Sequence, residues 1–134
     1  MNKNQVLEHI NEHVQQGDVL VGFFQATQSF KIWLFFLIGP LAVLSMKFYF
    51  VAVTQQGIYF HRLNLWGKFS DYDFFTFDEI QNVEMGDGYL QKPMRYYFKN
   101  GRKLKLKAQL KGSQKVAKLD DETLEYIKKR LVVL

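Results

Sequence analysis

The stretch Phe48-Tyr-Phe-Val-Ala-Val-Thr-Gln-Gln-Gly-Ile-Tyr-Phe-His-Arg-Leu63 holds two runs of branched and aromatic residues on either side of Gln55-Gln56-Gly57. Such runs pack well on a pleated sheet, and a short connection containing glycine, which takes positive φ freely, joins antiparallel neighbours. The segment predicts a β-hairpin with a three-residue connection and Gly57 in the left-handed conformation. Downstream, Asn64-Leu-Trp-Gly-Lys68 reads as a loop and Asp71-Tyr-Asp-Phe-Phe-Thr-Phe77 as a further strand. Asp78-Glu79 starts a brief turn, and Ile80 to Met85 continues as a strand until Gly86-Asp87-Gly88. Upstream, Val19-Leu-Val-Gly-Phe-Phe-Gln-Ala-Thr27 follows the Gly17-Asp18 turn as the first strand.

The last hairpin is legible down to its register. Met94-Arg-Tyr-Tyr-Phe98 and Arg102-Lys-Leu-Lys-Leu-Lys107 meet at Asn100-Gly101. A two-residue turn would set Phe98 against Lys103 and Tyr96 against Lys105, mixing aromatic rings and ammonium groups on one face. A three-residue loop with Gly101 left-handed pairs Tyr97 with Lys103, Tyr96 with Leu104, Arg95 with Lys105 and Met94 with Leu106. This register sorts the faces. Met94, Tyr96, Phe98, Leu104 and Leu106 point to the core, and Arg95, Tyr97, Lys103, Lys105 and Lys107 make one outer face.

Two helices flank the strands. Val6, Leu7, Ile10 and Val14 recur at helical spacing over residues 3–16, with Gly17 as the stop. At the other end, residues 120–132 open with capping acids and finish with Lys128, Lys129 and Arg130, matching the helix dipole. The expected division is an N-terminal helix over 1–17 and a mainly β domain with helices over 18–134. The order of seven strands and a helix resembles the pleckstrin-homology superfold. Phe50-Val-Ala-Val-Thr-Gln-Gln-Gly-Ile-Tyr-Phe60 resembles the strand, turn, strand signature of the bacterial pleckstrin-homology-like (PH-like) and GRAM families. Phe77-Asp-Glu-Ile-Gln-Asn-Val-Glu84 resembles their acidic-Ile step. The resemblance implies a bent seven-stranded sheet or barrel capped by the C-terminal helix, and a binding module rather than an enzyme.

One stretch departs from that pattern. Residues 32–46, an apolar insertion between the first and second strands, are uncharged and bounded by Lys31 and Lys47. As a helix they would span about 22 Å, short of a hydrocarbon core of about 30 Å, and Gly39-Pro40 interrupts them. Membrane-anchored relatives place transmembrane helices at this point, so the segment is read either as covered within protein or as entering a membrane. Trp33, Phe35 and Phe36 are its candidate membrane or oligomer contacts. The N-terminal stretch 1–16 is polar, without the apolar core of a secretory signal, which predicts a cytoplasmic, membrane-associated or soluble chain.

The chemistry is otherwise sparse. With no cysteine, thiol nucleophiles, disulfides and cysteine-based metal sites are excluded. His9-Ile-Asn-Glu12-His13 has the spacing of some zinc peptidases, but on a polar terminal helix it reads as solvated histidines, and no metal site is expected. His61 reads as a rim residue. Asp71 and Asp73 alternate with Tyr72 and are expected on the outer, solvated face of their strand. No catalytic residue and no cofactor is expected.

Charge, by contrast, is organised. The formal net charge is +5, yet residues 88–119 hold ten basic side chains and no acidic one, while residues 1–87 hold five basic and nine acidic. The basic hairpin face of Arg95, Tyr97, Lys103, Lys105 and Lys107, which Lys111, Lys115 and Lys118 extend, is therefore the candidate anion- or headgroup-binding site. The expected function is a non-catalytic module that engages an anionic phospholipid surface or a protein partner. Single-stranded nucleic acid is the alternative, disfavoured because Tyr97 is the single aromatic residue on that face. A second alternative is a structural subunit of a homo-oligomer that buries 32–46.

Overall fold

The computed structural model describes residues 2–28, 36–39, 47–111 and 117–134. Helix α1 (Lys3–His13) precedes strands β1 (Leu20–Gln28), β2 (Lys47–Thr54), β3 (Gly57–Leu63) and β4 (Phe69–Thr76). A 3-10 turn (Phe77–Glu79) leads to β5 (Ile80–Met85), β6 (Gln91–Phe98), β7 (Lys103–Gln109) and the C-terminal helix α2 (Asp121–Arg130). Residues 36–38 form a further helical turn. The seven strands are antiparallel neighbours in one sheet, ordered β4-β3-β2-β1-β7-β6-β5, which curls into a half-barrel.

Strand alternation gives the sheet two apolar layers rather than one. Phe24, Val51, Val53, Phe60, Val83, Met94, Tyr96 and Leu106 line the concave side and pack against Ile127 and Leu131 of the α2 end. Helix α2 starts at Asp120, whose carboxylate accepts from the Thr123 amide at 2.7 Å. On the convex side, Phe50, Ala52 and Tyr59 carry a second cluster closed by Val6 and Ile10 of α1. That helix opens with a capping box between Asn2 and Gln5 and ends at His13, earlier than the expected residue 16, because Val14 turns extended with ψ 130°.

The β2–β3 turn corrects the expectation for Gly57. Its φ is not positive: the positive-φ glycines among the described residues are Gly17, Gly39, Gly67 and Gly101. The connection is Gln55-Gln56, and Gly57 already pairs with Thr76 in the ladder. Glycine is needed there because a Cβ would run into the Phe75 carbonyl oxygen of β4. Thr54 makes the turn, its hydroxyl donating to the Gly57 carbonyl at 3.1 Å and accepting from the Gly57 amide at 3.2 Å. The β6–β7 hairpin has the expected register, Tyr97 opposite Lys103, Tyr96 opposite Leu104, Arg95 opposite Lys105 and Met94 opposite Leu106, with Gly101 at φ 90°.

The C-terminal helix stops at Arg130 rather than continuing to residue 132. The Val83 amide of β5 donates to the Val132 carbonyl at 2.9 Å, and the Leu134 amide donates to the Val83 carbonyl at 2.9 Å. Val133 thus sits in a parallel bridge along the outer edge of β5 and satisfies backbone groups that an edge strand leaves open.

Candidate anion-binding face

Helix α1 covers the convex side over β2 and β3 and leaves β6 and β7 bare. On that bare half Arg95, Lys103, Lys105 and Lys107 are exposed and Tyr97 is half-buried, so all five residues of the expected face stand together. Successive inward residues, Leu104 and Leu106, hold the strand against the core, and alternation turns each intervening lysine outward. Lys103, Lys105 and Lys107 make no ion pair among the described residues. Arg95 is the exception, 3.8 Å from Glu84, its cross-strand neighbour on β5. The sequence reading missed Glu84 because the β5–β6 register is not written in a tight turn. Of the flanking lysines, Lys111 lies over the Tyr89 ring at 3.7 Å, and Lys115 lies outside the described residues.

A cavity of about 330 Å³ opens on this face, lined among others by Thr27, Gln28, Pro93, Arg95, Lys105 and Lys107. Its place in the sheet follows from one cross-strand row: Pro93, Lys107, Thr27, Phe48, Leu63 and Phe69 are successive partners from β6 to β4. Beyond that row, in the same direction, run Lys105 and Lys103 on β7 and the β3–β4 turn. This turn is built by Asn64, whose side chain accepts from the Trp66 amide at 2.9 Å and the Lys68 amide at 3.0 Å, with Gly67 at φ 76°. It presents Trp66, 85% exposed, beside exposed Leu65. The turn was expected, but nothing in its five residues marked the indole as solvent-facing. Of the apolar contacts expected in 32–46, Phe36 is 83% exposed, while Trp33 and Phe35 lie outside the described residues. Among the described residues no helix is long and apolar enough to cross a membrane.

Two expectations on β4 and β3 are corrected. Asp73 sits opposite Phe60 and so shares the concave face, and Tyr72 is the residue turned outward, toward α1. The alternation is as expected, but the outward side is that of Tyr72, because α1 makes the convex face of β4 apolar. Asp71 and Asp73 are engaged by Arg62: Nε to Asp71 at 2.7 Å and Nη1 to Asp73 at 3.1 Å. The guanidinium beside Asp71 holds its carboxyl down to about 2. Arg102, next to the β6–β7 turn, reaches Asp73 at 3.8 Å and spans the mouth of the half-barrel.

His61 was expected at a rim and is instead 1% exposed. Tyr72 and Phe69 border it, and its ring lies edge-on to both His9 and His13, with centroids 5.6 Å and 5.7 Å away. Burial, then the two neighbouring histidines, lower its pKa to about 4, so the ring is neutral at neutral pH. His9 and His13 are not freely solvated either. The His9 ring stacks on Phe69 at 3.8 Å, and burial followed by His13 lowers its pKa.

No protein-family model matches the sequence, and no curated protein matches it. The structure is similar to the hSac2 domain from human phosphoinositide phosphatase Sac2. The TM-score is 0.59 at 10% identity, over 95% of this chain and 77% of that one. The fold is PH-like. At that identity the likeness speaks to the architecture, a curled antiparallel sheet with a closing helix, and the function has to be argued from this chain's own side chains.

Proposed function

We propose that the chain is a PH-like module that docks on an anionic membrane surface through β6 and β7. The observation that carries this reading is the set of three lysines, Lys103, Lys105 and Lys107, held in one row on the half of the sheet that α1 leaves uncovered. Without carboxylate partners they give a local positive field, and next to them lies a cavity lined by Arg95, Thr27 and Gln28 that suits a phosphate-bearing headgroup. Trp66 projects from the same end of the sheet, so its ring meets the interface when the lysines meet headgroups. A membrane uses both features, whereas a nucleic acid would stack on several rings where this face offers Tyr97. The bacterial PH-like and GRAM families remain the proposed affiliation, on the strength of the motifs around Thr54 and Ile80.

Sedimentation with vesicles tests the reading. Vesicles rich in phosphatidylserine are expected to pull the protein down at low salt, and binding falls as salt rises. Each lysine near such a surface contributes about 1 kcal/mol, so replacing Lys103, Lys105 and Lys107 by alanine lowers binding about 100-fold. Absence of sedimentation at low salt, or a triple variant that binds as the parent does, overturns the proposal.

A further inference from the structure

The chain has three histidines, and the fold brings all three to one place, two from α1 and one from the strand beneath. We propose that His9, Glu12 and His13 bind one divalent transition-metal ion of the zinc class, with His61 as the inner ligand that ties α1 to β3.

The helix supplies the first part of the site. His9 and His13 are one turn apart, their ring centroids 4.4 Å from each other, and donor atoms of His9, Glu12 and His13 all lie within 4.8 Å of one another. A tetrahedral zinc ion with bonds of about 2.0 Å holds its donors about 3.4 Å apart, a distance that small side-chain rotations reach. The tautomer of His13 is set as a ligand's is. Its Nδ1 is 2.9 Å from the His9 carbonyl oxygen, which can only accept, so Nδ1 carries the proton and Nε2 keeps its lone pair.

The strand supplies the second part. Nε2 of His61 is buried without a hydrogen-bond partner among the described residues. A buried polar atom left unpaired destabilises the fold, and a metal ion would satisfy it. Imidazoles that share one tetrahedral ion have ring centres about 5 Å apart, and the three centroid distances, 4.4, 5.6 and 5.7 Å, fall on either side of that value. The rings are surrounded by Phe69, Tyr72 and Tyr59, an apolar wall that limits competition from water. Imidazole nitrogen with one carboxylate suits zinc, nickel or copper and does not suit calcium or magnesium. Bound there, the ion would fasten the helix that closes the convex cluster.

The test uses the full chain without a histidine tag, after chelator treatment. Zinc is titrated against a chromophoric chelator, and thermal unfolding is followed with and without the ion. One zinc per chain is expected, with a rise in Tm. Because their side chains are partly exposed, His9→Gln and His13→Gln keep the fold, and each is expected to lower zinc affinity at least tenfold and abolish the rise in Tm. His61→Phe is expected to weaken zinc at least tenfold while leaving the metal-free protein folded. No stoichiometric zinc, or full binding retained by the H9Q/H13Q double variant, overturns the site. Unchanged affinity in a folded H61F protein overturns the link to β3.

Discussion

A side chain at residue 57 has no room, because the β4 backbone at Phe75 and Thr76 lies across the direction its Cβ would take. Backbone cannot yield as a flexible side chain does, so Gly57→Ala is expected to cost about 2 to 4 kcal/mol, measured as a lower urea midpoint at constant m. Gly101→Ala is the internal comparison: it meets open space and carries only the penalty of its φ of 90°, about 1 to 2 kcal/mol. The need for glycine at 57 was legible from Gln55-Gln56-Gly57, and its cause was not, since the close approach comes from the backbone of the next strand, β4, and not from the turn itself. His61 shows the same limit. An alternating strand puts it on a face, but the depth of that face depends on α1, which lies two strands earlier in the chain.

At the scale of elements, α1 decides what the convex side is. Val6 and Ile10 are fully buried and the remainder of the helix is largely polar, so the helix is held by a narrow stripe. Ile10→Ala is expected to destabilise the protein by about 2 to 4 kcal/mol and to raise amide exchange in α1 ahead of the sheet, measured by hydrogen exchange. The stripe itself was legible from its spacing. Which sheet face it would cover was not, and the error propagated to Asp71 and Asp73, because a period of two assigns residues to opposite sides without naming the inner one. The β6–β7 hairpin was legible to the residue, since Asn100-Gly101 pins the loop and only one register separates Leu104 and Leu106 from the lysines. The pairing of Val132-Val133-Leu134 along β5 was not legible, because three residues are too few to show alternation and Val132 continues the helical pattern.

Over the whole molecule, the net charge of +5 is unevenly held. Arg62 and Arg102 pair with Asp71 and Asp73 at the half-barrel mouth and Arg95 lies 3.8 Å from Glu84, whereas Lys103, Lys105 and Lys107 on β7 have no ion-pair partner among the described residues. The sheet is also two meanders, β1 to β4 and β5 to β7, each made of neighbours in sequence. They join where Ala26 pairs with Ala108 and Thr27 with Lys107. Local hairpins form quickly, whereas this junction has to close a loop of about 80 residues, so it is expected to set the pace of folding. Ala108→Gly, at about 1 kcal/mol, is expected to slow refolding about fivefold in stopped-flow measurements, while Ala52→Gly within the first meander chiefly speeds unfolding. Until the junction closes, each meander exposes its concave aromatic layer. The interval before the halves meet is therefore when the chain is most open to association with itself, and protein concentration during refolding becomes a variable that the finished structure conceals.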